Sequence, residues 1–216
     1  PRGYHRLQPI TAEQPFDHIS VDLAGPFFTS TAGNHFIHVL VDMHTRFVLL
    51  HALPDKCSET VALLWRNTFC TFGFPRIVQS DNGSEFVNKV NKKLTSLTGI
   101  DHRLITPYHP RANGASERTV QTVTRVMKKL AQGDVKNWDV YLPFIQYCIN
   151  QKTSSRHQHA PFTVMFGRRA NQFADFTDTV IPVDFEPGSE EHQQTISDIE
   201  ERVRAMTDTL FTSIAA

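Results

Sequence analysis

Cysteine is scarce in this 216-residue chain: Cys57, Cys70 and Cys148 are three in number and widely spaced. An odd count without paired spacing excludes a disulfide framework and points to a reducing compartment. No C-x-x-C word offers zinc a ligand pair. No run of 18 apolar residues occurs, so no segment is expected to span a membrane, and residues 1–9 lack the apolar core of a signal peptide. Internal repeats and low-complexity stretches are missing too. The first residue is Pro rather than Met, which reads as a piece of a longer polypeptide.

Net charge is also lacking, since 22 basic residues balance 22 acidic ones. The balance hides an asymmetry. Residues 175–208 carry ten acids against Arg202 and Arg204, a net of −8, so the remainder carries +8. A basic body with an acidic tail suits a polyanionic partner better than the total suggests. What the chain has in quantity is apolar surface, with 40% hydrophobic residues and 16 Phe. That is enough for a core and excludes global disorder.

Residues 1–15 read as an extended lead-in. Ile19–Leu23, Phe36–Val41 and Phe47–Leu53 are short β-rich runs separated by turn residues, which predicts an antiparallel meander. Ser58 is placed as the N-cap of a helix through Phe69. A fourth strand follows at Ile77–Gln79, a helix at Ser84–Leu97 and a fifth strand at His102–Ile105. A long helix is expected from Asn113 to about Leu130. Trp138–Asn150 reads as another helix, with Pro143 near its first turn or at a kink. Pro161–Phe166 is a short helix ended by Gly167. Ile196, Ile199, Val203, Met206 and Leu210 recur at helical spacing within 190–210, an amphipathic helix with an acidic outer face. The order of elements predicts a mixed α/β fold.

Four acids sit where strand ends or a helix would project them. Asp22 lies inside the apolar run Ile19-Ser20-Val21-Asp22-Leu23, Asp81 ends the fourth strand, Glu117 is on the long helix, and Asp42 ends an apolar run. A carboxylate at a strand terminus is costly to bury unless paired, hydrogen-bonded or metal-bound. Converging carboxylates repel one another, and a divalent metal pair is the usual remedy. Asp42 precedes a hairpin-like turn and reads as structural. His35-x-x-His38, with His44 and His51 nearby, also reads as structural, because alternating apolar neighbours make the stretch strand-like.

On the long helix, Asn113, Glu117, Gln121, Arg125 and Lys128 share one face, while Val120, Val123, Met127 and Leu130 form the opposing stripe. Arg111, Arg118, Arg125, Lys128 and Lys129 suit phosphate contacts, although any one of them also reads as a solvated surface charge.

Asp81 and Glu117 are separated by 35 residues, with Asp22 on the first strand. This spacing resembles the Asp, Asp-35-Glu signature of the retroviral integrase superfamily. The surrounding words Asp17-His18-Ile19-Ser20-Val21-Asp22, Phe72-Gly73-Phe74-Pro75 and Ser80-Asp81-Asn82-Gly83-Ser84-Glu85-Phe86 are similar as well. Tyr108-His109-Pro110 and Phe166-Gly167-Arg168-Arg169 resemble gypsy-like long-terminal-repeat retrotransposon integrases in particular. The resemblance covers about residues 12–170.

The resemblance implies a ribonuclease-H-like fold, a five-stranded mixed sheet flanked by helices, here followed by the C-terminal helix. It divides the chain into the lead-in at 1–15, an integrase catalytic core at 16–170, and an acidic linker with an amphipathic helix at 171–216. It implies 3′-end processing and DNA strand transfer. Asp22 and Asp81 would hold one Mg²⁺ and Asp22 and Glu117 a second, with Mn²⁺ as a substitute. The segment Tyr108–Gly114 resembles the family's active-site loop, where Tyr108, His109 and Asn113 would touch DNA; a purely structural turn is the alternative there. Arg111, Arg118, Gln121, Arg125 and Lys128 complete the expected DNA contacts. The implied partners are element ends and target DNA, further copies of the chain, and host chromatin or transcription factors, with no membrane. The implied place is the nucleus during integration, and a virus-like particle or the cytoplasm before it. Two readings share the motifs: a bacterial transposase of the same superfamily, and a host-retained integrase that only binds DNA. Ribonuclease H itself fits poorly, since its carboxylates are spaced differently.

Overall fold

Alternation of apolar and polar side chains lets each strand feed two cores at once. In the computed structural model, which describes residues 12–105, 110–130, 135–153, 158–171, 201, 203 and 204, that alternation builds a sheet covered on both sides. Strands β1 (His18–Ala24), β2 (Phe36–Asp42) and β3 (Val48–Leu53) form the antiparallel meander. After helix α1 (Ser58–Phe72) the chain returns as β4 (Ile77–Ser80), parallel to β1. Helix α2 (Lys89–Thr98) then crosses over to β5 (Asp101–Leu104), parallel to β4, and the sheet order is β3-β2-β1-β4-β5.

Ile37, Val39, Val41, Val48 and Leu50 point to one face, where α3 (Pro110–Leu130) and α4 (Leu142–Gln151) cover them with Val123, Val126, Met127, Leu130, Leu142 and Ile145. Ile19, Val21, Leu40, Leu49 and Val78 point to the other, against Val61, Trp65 and Phe69 of α1 and the buried Phe86. The five-stranded mixed sheet between helical layers is the ribonuclease-H-like arrangement expected. Among the described residues no helix is long and apolar enough to cross a membrane.

β3 is an outer strand, paired with β2 on one side, and its outer edge is met by side chains rather than by another strand. Asn150 of α4 accepts from Val48 N–H and donates to Val48 C=O, both at 2.8 Å, and Gln146 Oε1 accepts from Leu50 N–H at 2.7 Å. Asn150 is therefore buried without leaving a polar group unmet.

Several boundaries differ from the expectation. The N-cap of α1 is Cys57 and not Ser58, without a side-chain cap bond, and the helix runs on to Phe72. The second helix starts at Lys89 rather than Ser84, because Asn88 caps it by accepting from Asn91 N–H at 2.8 Å. Residues 84–86 are a turn instead. Trp138–Asn150 divides into a 3-10 turn, Trp138–Tyr141, and α4, with Pro143 in the first turn of α4. α3 begins three residues early, at Pro110, while α5 (Pro161–Phe166) has the expected bounds. Most of 190–210 lies outside the described residues, but Val203 is fully buried in the core beside α3 and α4. That part of the apolar stripe docks on its own domain.

Candidate active site

Strand register brings the first two carboxylates to one end of the sheet. β1 and β4 are parallel, with Ser20 opposite Gln79. Asp22 and Asp81 each stand two residues beyond that pair. They share the carboxyl end of adjacent parallel strands, where open α/β sheets hold their ligands. Asp22 is half-buried, and its Oδ1 accepts from Leu23 N–H at 2.8 Å. Asp81 is exposed, and its Oδ1 accepts from Gly83 N–H at 3.0 Å, the Asx-turn contribution of the Asp-Asn-Gly word. Behind it, Ser80 Oγ donates to Asp81 C=O at 2.8 Å and lies 2.9 Å from His102 Nε2 on β5.

Glu117 arrives from α3, which packs across β1 and β2. Its neighbour Ser116 is fully buried, and Ser116 Oγ lies 3.0 Å from Ser20 Oγ. Ser20 and Asp22 alternate onto the same face of β1, so α3 meets the strand on the side where Asp22 points.

The electrostatics register this approach. The Asp22 carboxyl is pushed up from an ordinary 3.8 to about 6, first by burial and then by the negative charges of Asp81, Glu117 and Glu85, against the lowering effect of the Leu23 N–H. Two other segments thus bring charge to bear on one carboxyl. Among the described residues, no group of three His, Cys, Asp or Glu is gathered tightly enough to hold a metal. The carboxylates are neighbours in potential rather than a closed ligand set.

Glu85 was missed as a site residue, although it stands in the quoted word around Asp81. Its carboxylate lies over Gly83, where an added Cβ would sit 2.8–2.9 Å from the Glu85 Cδ and both oxygens. Reading 84–97 as a helix hid this; the turn at 84–86 is what folds Glu85 back. Ser20 and Ser116 were missed too, and the signal available was their place next to the two acids.

Asp42 is structural as expected. Its Oδ2 accepts from Thr45 N–H at 3.0 Å and from Thr45 O–H at 2.6 Å. His38 accepts from Trp65 Nε1–H at 3.1 Å in the core, and burial pushes it down to about 3, so it stays neutral. His44 Nδ1 lies 2.9 Å from Ala12 C=O.

Of the expected DNA contacts, Arg118, Gln121, Arg125 and Lys128 are all exposed on α3, on the side away from the buried Val123, Val126, Met127 and Leu130. Arg111 and Asn113 fall in the first turns of α3, with side chains outside the described set. Tyr108 and His109 lie outside the described residues.

A family model described as integrase core domain matches residues 12–110, a stretch holding Asp22 and Asp81 and ending before Glu117. The Retrovirus-related Pol polyprotein from transposon 412 of Drosophila melanogaster is 28% identical over 162 residues, 74% of this chain and 13% of that protein. The Pro-Pol polyprotein of Simian foamy virus type 3 is 32% identical over 168 residues, 76% of this chain and 14% of the relative. Gypsy retrotransposon integrase-like protein 1 of Bos taurus is 26% identical over 159 residues, 74% of this chain and 32% of the relative. The chain thus spans a third or less of these relatives.

In fold, the chain is similar to a chain of the simian T-cell lymphotropic virus intasome in complex with PP2A regulatory subunit B56 gamma, with a TM-score of 0.63 and 19% identity over 83% of this chain and 63% of that one. The HTLV-2 integrase catalytic core in complex with magnesium (trimeric form) gives a TM-score of 0.57 at 16% identity, covering 72% of this chain and 99% of that one. The catalytic core of BIV integrase gives 0.57 at 20% identity, covering 70% and 95%. Alongside these similarities, residues 12–110 match the integrase core domain family.

Proposed function

We propose that this chain is the catalytic core of a retrotransposon integrase, a metal-dependent polynucleotidyl transferase that processes 3′ ends and joins them to target DNA. One observation carries the reading: the half-buried Asp22 on the central strand is held near pH 6 by burial together with acids from two other segments, Asp81 and Glu85 beyond β4 and Glu117 on α3. Stability alone gives no reason to aim acids at a strand end where each raises the cost of the others.

The donor chemistry fits a hard divalent cation. All the groups are carboxylate oxygens, and Asp81 and Glu117 are open to water. Asp22, Asp81 and Glu117 would hold Mg²⁺, which supplies polarisation of a phosphoryl oxygen and activation of the attacking hydroxyl. Asp22 would take part as a carboxylate, the form that a bound cation favours. Ser80 and the Gly83 N–H hold the Asp81 turn from both sides. The exposed cations of α3, Arg118, Arg125 and Lys128, run onward from Glu117 and would carry DNA phosphates along the helix toward the acids. Joining two DNA ends calls for at least two copies of the chain, working on chromosomal DNA in the nucleus.

The test is strand cleavage and joining on oligonucleotide duplexes with Mg²⁺, comparing the chain with Asp81→Asn and Glu117→Gln. Both variants should stay folded, lose activity, and lose the thermal stabilisation that Mg²⁺ gives the parent. A metal at 100 times its dissociation constant adds about 2.7 kcal/mol. A parent chain that binds DNA but neither cleaves it nor responds to Mg²⁺ would overturn the catalytic reading in favour of a DNA-binding module.

A further inference from the structure

Nothing in the carboxylates themselves explains how Glu117 is kept at Asp22. The two residues are 95 positions apart, and Glu117 sits exposed on a helix whose fully buried apolar anchors lie farther along. Among the described residues, the nearest fully buried apolar anchor on α3 after Glu117 is Val123. It lies six residues on, about 9 Å along the axis at 1.5 Å per residue. Apolar packing there is non-directional, and it tolerates small rotations of the helix about its axis. A slip of one residue would turn Glu117 about 100° away from the strand.

Among the described residues, a directional contact lies close to both acids. Ser116, the residue before Glu117, and Ser20, two residues before Asp22 on the same face of β1, meet through their hydroxyls at 3.0 Å with no exposure to solvent. Hydroxyl bonds weaken steeply with distance and angle, so this contact is sensitive to both the approach and the rotation of α3. Two small side chains also permit a close crossing; larger ones would lift the helix off the strand. We propose that the Ser20–Ser116 pair is a positioning device that sets Glu117 against Asp22 for metal binding. The proposal rests on the integrase reading of the site.

The experiment takes the chain with Ser20→Ala, Ser116→Ala and both together, and measures folding by circular dichroism, Mn²⁺ affinity by calorimetry, and kcat and KM for duplex cleavage. Loss of a group that orients metal ligands lowers affinity by roughly 10–100-fold. The expected result is folded protein in all three variants, Mn²⁺ affinity and kcat both down by about tenfold or more, and KM for DNA unchanged. The double variant should be no better than the worse single one, since the bond is absent in each. If Ser116→Ala does not fold, Ser20→Ala removes the same bond from the strand side and is read in its place. Folded variants that bind Mn²⁺ and turn over like the parent overturn the inference and leave the integrase reading standing. A rise in KM with Mn²⁺ affinity intact overturns it as well, because the pair would then serve DNA docking. A parent chain that binds no Mn²⁺ removes the integrase reading and this inference together.

Discussion

Asp22→Asn should make the metal-free protein more stable at pH 8 and leave it nearly unchanged at pH 4. The folded chain holds the Asp22 proton up to about pH 6, against an ordinary value of 3.8. A group whose folded value is raised stabilises the protonated fold. Below the unfolded value both states are neutral and nothing is lost. As pH rises through the window from 3.8 to 6 the unfolded chain ionises first, so folding becomes progressively less favourable. Above that window the penalty is complete. A shift of about two units at 1.36 kcal/mol each is roughly 3 kcal/mol, which screening at this half-buried position brings to about 2–3 kcal/mol. Asparagine removes the ionisation and keeps an oxygen for the Leu23 N–H, so most of that penalty should be recovered. For a chain of this size the gain corresponds to roughly 5–10 °C in Tm. Urea or thermal denaturation of both proteins in EDTA at pH 4 and pH 8 reads it directly. An equal difference at the two pH values, or a loss at pH 8, would refute the placing of Asp22 beside other acids.

Two further outcomes follow from the same geometry. Arg125 and Lys128 are exposed on the Glu117 face of α3, so changing both to Ala should flatten log affinity against log salt for duplex DNA by up to about 2. Element-end and random duplexes should weaken alike, measured by fluorescence anisotropy across salt; a loss confined to one sequence would mean the helix reads bases. Asn150→Leu should cost about 2–4 kcal/mol in urea unfolding, because it strips Val48 of partners for both its N–H and its C=O on the outer strand. A neutral outcome there would show that β3 is held by its pairing with β2 and by packing, without help from these bonds.

Local pattern was enough to read the elements of this protein. Alternation marked β1 to β3, the spacing of Val120, Val123, Met127 and Leu130 marked the buried stripe of α3, and Gly167 closed α5 where expected. These are short-range properties, carried by neighbours in sequence. The carboxylates were legible for another reason, since the words around Asp22 and Asp81 resemble a family whose chemistry demands them. What lay beyond the sequence were contacts between distant segments. Asn88 rather than Ser84 starts α2, and only that choice of cap leaves Glu85 in a turn where its charge reaches Asp22. The parallel register of β1 with β4 puts Asp22 level with Asp81, and the crossing of α3 over β1 joins Ser116 to Ser20. The raised Asp22 belongs to the tertiary structure alone, because burial and repulsion act through space, and neither exists until the sheet has paired and the helix has docked.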